Sequence, residues 1–311
     1  MKYLILSLLL IAVFTRCTKN DSTTPPTNIF SVTPDANYLL DTVSFLGQTG
    51  TGHGYSFVYD NLNRVKTIKY LQFFSFQALY VDGTLDFSYT GAENNPVSME
   101  MIAAYSSVQF HHKVFFFYNA DHSKQRDSII DMTDPTQRSV RKYYYNPALN
   151  GMSVHHYMNG SPLYRFIDTA VFSNNNCTTL GSGKYRYELN SSVPIGDGSV
   201  YNEFIATDDK VNPYSKLNIF PALFLTDYFE FGDYITPEPT DIFWCIDYFA
   251  LVNNAKRIRS IEGFAGASIY KRTSQLETYD SRSRIVEKNI VDSISGSSFF
   301  DRNFLRYKYR N

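Results

Sequence analysis

Apolar and polar residues alternate with a period of two along much of this chain, and many of the apolar positions are rings. In Tyr55-Ser56-Phe57-Val58-Tyr59 the three rings fall on every second position, which places them on one face of a strand. Asp60 and Asn61 follow, residues whose side chains bond their own downstream backbone and so close turns. Val65 and Ile68 then open a returning strand, in imperfect alternation. A second copy begins at Leu276, where Tyr279, Asp280, Arg284 and Ile285 repeat the frame of Tyr59, Asp60, Arg64 and Val65. Looser copies are Phe87-Ser88-Tyr89-Thr90, Phe115-Phe116-Phe117-Tyr118-Asn119, Tyr143-Tyr144-Tyr145-Asn146 and Tyr185-Arg186-Tyr187-Glu188. Recurrence at roughly 30 residues marks an array of similar units. The predicted fold is therefore all-β: antiparallel hairpin and meander repeats forming one large, twisted and curled sheet with an aromatic inner face.

Within each corner the Asp and the Arg four residues on can meet across the turn. Both are expected to stabilise it, as an exposed pair contributing about 0–1 kcal/mol. One region breaks the repeat, a short mixed insertion near 205–245. Ser215 to Phe229 can hold one or two helical turns, with Ser215 as a cap and Pro221 in the first turn of the second. Pro237, Pro239 and Trp244 make it the least repetitive part of the chain and the first place to look for a special site.

The hydrophobic pattern changes again at the start. Lys2 precedes an apolar run from Tyr3 to Phe14, and Thr15-Arg16-Cys17 ends it. The run is too short to stay in a bilayer as a spanning helix and has the length of a signal-peptide core. Residues 1–16 resemble a bacterial lipoprotein signal peptide, which implies a lipid on the Cys17 sulfur. Arg16 stands where such signals carry a small residue, and Phe14 where they carry leucine. An ordinary cleaved signal would need a small-x-small site, and none lies nearby. Thr18 to Thr27 contains no large apolar side chain, so residues 17–27 read as the lipidated cysteine and a flexible tether. Residues 28–311 are expected to form a single β-rich repeat domain.

The Tyr-Asp-x-x-x-Arg frame resembles the YD-repeat proteins, and more closely a group of Bacteroidota lipoproteins built from Tyr-Asp hairpins. Tyr38 to Phe45, Asp208-Asp209-Lys210-Val211-Asn212-Pro213-Tyr214 and Val252-Asn253-Asn254-Ala255-Lys256-Arg257-Ile258 are also similar to stretches of that group. The resemblance implies architecture and no activity; the polar stretch with an acidic residue just after Cys17 is in turn similar to surface-exported Bacteroidota lipoproteins, which implies an outer-membrane setting.

Charge narrows the partners. Lys plus Arg is 29 and Asp plus Glu is 30, a net charge of -1, so no basic field draws nucleic acid. Tyr and Phe at 25 each, with one Trp, suit a half-buried sheet; exposed tyrosines also stack on sugar faces. Cys177, in an Asn-rich loop, and Cys245, in an aromatic strand-like run, can form one disulfide in an exported protein, though a loop cysteine and a buried one need not meet.

Six histidines are present, His53, His111, His112, His122, His155 and His156, read mostly as half-exposed strand residues. Strand neighbours such as His111 and His112 point to opposite faces and cannot chelate one ion. Thr49 to Gly54 is glycine-rich with a strand behind it, so it reads as a hairpin loop and not a phosphate cradle. Asp208 and Asp209 read as loop carboxylates. No catalytic residue, metal site or cofactor is expected. The expected role is binding or structural at the outer membrane, on its periplasmic or surface face. Its partners would be the membrane, through Cys17, and a glycan or protein. The alternative is a carbohydrate-binding accessory lipoprotein of a polysaccharide-uptake system, and an enzyme ranks after both.

Overall fold

The computed structural model describes residues 32–47, 52–73, 80–105, 108–136, 138–146, 150–158, 164–173, 176–188, 194–195, 198–223, 253–264, 267–294 and 300–310. After a 3-10 turn at Ala36–Tyr38 the described chain is almost wholly strand. The first strands are β1 (Leu40–Gly47), β2 (Gly52–Tyr59), β3 (Val65–Phe73), β4 (Tyr80–Ser88), β5 (Ser98–Tyr105) and β6 (Val108–Tyr118). Next come β7 (Lys124–Asp131), β8 (Arg138–Asn146), β9 (Gly151–Met158), β10 (Tyr164–Ser173), β11 (Asn176–Glu188), β12 (Pro194–Ile195) and β13 (Gly198–Val211). A 3-10 turn at Pro213–Lys216 and a helical turn at Phe220–Leu223 precede β14 (Asn253–Phe264), β15 (Ala267–Tyr279), β16 (Ile285–Ile294) and β17 (Phe300–Tyr309).

All 17 strands belong to one antiparallel sheet, as the alternation predicts. Each pairs with its neighbour in sequence, save that β11 reaches across the two-residue β12 to β13. The curl goes further than expected. β1 pairs with β2 on one side and with β17 on the other, Val43 facing Tyr55 and Tyr307. Closure of this kind removes the open edges that invite aggregation.

The inner face carries the core. Tyr55, Phe57, Val65, Ile68, Tyr70, Leu85, Phe87, Met99, Val114, Phe116 and Ile129 are buried and belong to one cluster with Ile285, Leu305 and Tyr307. A fully buried side chain of this type contributes about 1.5–3 kcal/mol. A closed ladder of this many strands, left round, encloses water. Here the insertion joins the same cluster: Tyr214, Leu217, Ile219, Phe220, Ala222 and Leu223 are buried in it.

The outer face carries many charges, with exposed apolar side chains such as Val58, Ile102, Val171, Leu276 and Phe304 scattered among them. Lys66, Lys69, Asp86, Arg126, Lys142, Arg306 and Lys308 are exposed on strands whose alternate residues are buried. That polarity is the reverse of a barrel wall facing lipid, where an Arg or Lys at mid-depth costs about 2–4 kcal/mol.

The imperfect alternation after each Tyr-Asp corner has a local cause. Register slips between Val58 and Tyr59 in the β2–β3 pair, and between Thr278 and Tyr279 in the β15–β16 pair. The β6–β7 pair slips likewise between Phe117 and Tyr118. In each case an extra residue is accommodated as a bulge beside the turn, which increases the local twist.

Candidate functional site

The corner residues form one recurring arrangement. The Asp60 N–H donates to the Arg64 carbonyl, and Asn63, at φ 59, donates to the Asp60 carbonyl. Asp280, Ser283 (φ 61) and Arg284 repeat this, as do Asn119, His122 (φ 65) and Ser123. Asp60 Oδ1 accepts the N–H groups of Leu62 and Arg64 at 2.9 Å, and its Oδ2 accepts Arg64 Nε at 2.7 Å. Asp280 makes the same set with Arg282 and Arg284.

These are not the exposed pairs expected. Arg64 is 7% exposed, stacks on Tyr89 at 4.3 Å, and donates to the Gly91 and Glu93 carbonyls of the next corner. Gly91 sits at φ +55, a conformation that favours glycine. Arg284 stacks on Tyr309 at 4.3 Å and donates to the Asn37 carbonyl. The arginine therefore ties one corner to its neighbour, which the local sequence could not reveal.

A tyrosine at or just past the end of several strands does the same from inside the wall. Tyr59, Tyr89, Tyr118, Tyr145 and Tyr309 donate their hydroxyls to the carbonyls of Leu40, Val65, Pro96, Lys124 and Ile285, at or beside the start of a preceding strand. Burial pushes the hydroxyl pKa of Tyr59, Tyr145 and Tyr309 upward, so they stay protonated donors. Tyr279 departs from the series and donates to the Asp208 carboxylate. Asp208 lies at the irregular end of β13 and not in a loop. The first and last Tyr-Asp corners meet across the same short segment, where Asn37 accepts from Arg284 and Leu40 accepts from Tyr59.

The insertion fastens to this end of the wall. Asn212, and not Ser215, caps its 3-10 turn; the Ser215 hydroxyl donates back to the Asn212 carbonyl. Pro221 is accommodated in the helical turn, as its missing N–H predicts. Asn218 is fully buried. Its Oδ1 accepts the Val65 N–H at 2.8 Å, and its Nδ2 donates to the Tyr89 hydroxyl and the Asn94 carbonyl. Lys124 Nζ donates to the Ala222 carbonyl and pairs with Asp127 at 2.8 Å, both side chains fully buried. Tyr143 donates to the same carboxylate at 2.7 Å, and buried Arg141 lies near Lys124. Burial pulls the Lys124 pKa down to about 8, against the attraction of Asp127. This cluster clasps the insertion against β7 and β8. Lys124 occupies the corner position of Val65 and Ile285, so the only sequence signal is a charge in an apolar slot.

A different arrangement lies on the outer face of β6–β9. Phe117 faces Arg126, Arg126 faces Lys142, and Lys142 faces His155, a row straight across four strands. The Arg126 guanidinium lies over Phe117 at 4.0 Å, and Lys142 Nζ lies 5.2 Å from the Tyr157 ring. Tyr144 is 45% exposed, with His155 4.7 Å away, ring to ring. Along β6, Lys113 reaches over Phe115 at 5.6 Å. Each neighbourhood depends on inter-strand register, which the sequence does not print.

Cys17, Cys245, Pro237, Pro239 and Trp244 lie outside the described residues. Cys177 is on β11, opposite Phe172, and not in the Asn-rich loop. His111 and His112 do point to opposite faces. His111 bonds Glu100 at 2.6 Å at the surface, while His112 is buried and burial lowers its pKa. His122 belongs to a corner turn and not to a strand. Among the described residues, no group of three His, Cys, Asp or Glu could hold a metal ion. No described helix is long and apolar enough to cross a membrane.

No family model matches this chain, and no curated protein matches it. Among solved structures it is similar to a porin-like protein from Bacteroides uniformis ATCC 8492, with 10% identity over 92% of this chain and 100% of that one, and a TM-score of 0.48. A likeness at that level leaves the role of this chain to its own residues.

Proposed function

We propose that this chain is an exported protein, lipid-anchored at Cys17 in the outer membrane, whose closed sheet stands in water beside the membrane as a binding or structural wall. The observation that supports it best is the polarity of the sheet, whose apolar core cluster lies on the inner face while Lys66, Lys69, Asp86, Arg306 and Lys308 stand exposed on the outer one. Such a body needs a separate device to stay at a membrane. The apolar run ending at Cys17 and the polar tether to Thr27 supply one.

Metabolic labelling with a palmitate analogue tests the anchor. The wild-type chain takes up label, and Cys17→Ser does not; equal labelling would remove the anchor. Proteolysis within the tether should then release a β-rich body that remains dispersed without detergent. A released body that precipitates until detergent is added would overturn the water-facing wall.

Within this role, one observation favours binding over scaffolding. The outer face of β6–β9 carries rings and cations with no ion pair to a carboxylate at Arg126 or Lys142 among the described residues. A carbohydrate-binding accessory role in polysaccharide uptake fits that face.

A further inference from the structure

Arg126 and Lys142 are exposed register partners on β7 and β8, so two cations stand directly opposite each other. Like charges so placed destabilise a sheet. The described outward positions around them are rings, hydroxyls and Val140: Phe115 and Phe117 on β6, Ser128 on β7, Val140 and Tyr144 on β8, and Ser153, His155 and Tyr157 on β9, with His155 directly opposite Lys142. Phe117 and Tyr157 hold the two cations in place, and Tyr144, 45% exposed with His155 against part of its ring, stands beside them. An anion seated between Arg126 and Lys142 turns their mutual repulsion into attraction.

Resting on the binding role proposed above, we infer that this face takes an acidic polysaccharide. A sugar carboxylate sits between Arg126 and Lys142, and a neighbouring pyranose face lies on Tyr144. Three features select this ligand. β7 and β8 are paired on both sides, so they offer no edge to which a peptide could add as a strand. Binding must then go through side chains alone, on an open wall that suits an extended chain. The pairing of a cation with an adjacent ring matches a ligand that carries both a carboxylate and a stackable apolar face. On a chain of net charge -1 this lone pair of cations is no extended basic field for a nucleic-acid backbone, and a single carboxylate suffices to answer it.

Affinity electrophoresis of the full chain tests this, with polygalacturonate, neutral amylose, polyglutamate or a single-stranded oligonucleotide cast in the gel. Polygalacturonate should retard the protein. Arg126→Glu and Lys142→Glu should each weaken retardation on the order of tenfold, and Tyr144→Ala several-fold. Lys69→Glu on β3 should leave it unchanged. Polyglutamate or the oligonucleotide retarding the chain as strongly, with the same two reversals abolishing it, would overturn the acidic glycan and leave a binding wall in place. Amylose retarding it regardless of the reversals would overturn the role of the cations. No retardation by any probe would overturn both this ligand and the binding role, while the palmitate experiment would still report on the anchor.

Discussion

Two stretches of the same outer wall are finished differently. Around the closure, several charges find partners: Arg306 meets Glu287 at 3.2 Å, Lys308 meets Asp41 at 3.2 Å, and Thr67 donates to Asp86 at 2.6 Å. On β6–β9, Arg126 looks at Lys142 and both lie beside rings. The inner faces of the two stretches obey one rule, apolar at every second position, because folding demands it. Outward positions are free of that demand, so a repulsive pair kept there points to a use other than stability.

The sharpest break in the comparison lies within a single step along β7. Asp127 points inward and Arg126 outward. Asp127→Ala should cost about 3–5 kcal/mol in urea unfolding, since it leaves Lys124 buried without its carboxylate. Part of that loss should return as pH rises, because an uncovered buried amine sheds its proton more readily. Arg126→Ala, next door, should stay within about 0.5 kcal/mol of wild type. Equal losses would mean that the inner cluster is not the clasp described.

Acid should unfold the corner end through its aspartates. Burial alone would raise the pKa of Asp60 and Asp280. The hydrogen bonds from Arg64 and Arg284, and from the turn N–H groups, outweigh burial and hold both below the ordinary 3.8. The unfolded chain therefore binds more protons in that window. The stabilisation is complete above the ordinary value and is lost as pH falls through the lowered ones. A double Asp60→Asn, Asp280→Asn variant should show a shallower acid limb in pH-dependent denaturation. An unchanged limb would place the acid sensitivity elsewhere.

The smallest effect runs the other way. Arg126→Glu converts a facing like-charge pair into an opposite one and should raise stability by about 0.2–1 kcal/mol, less at high salt. Destabilisation by the same substitution would mean that Arg126 serves the fold.

The hairpins were legible because their grammar is local. Alternation places Tyr55 and Phe57 on one face, and the Asp60–Arg64 and Asp280–Arg284 bonds span four residues. The looser copy at Tyr118-Asn119 proved to be a full corner, obscured because Ser123 replaces the arginine. The cap at Asn212 was missed because Ser215 offers the same chemistry three residues later.

The sequence by itself determined the strands, the corners and the absence of a basic field, since the first two are written in contiguous residues and the third in composition. Only the tertiary structure decided that the sheet closes, that Asn218 and Lys124 pin the insertion, and that Arg126 stands opposite Lys142. Those outcomes depend on register. Register is fixed by turns and bulges summed over many strands, and shifting one strand by a single residue would turn every one of its side chains to the other face.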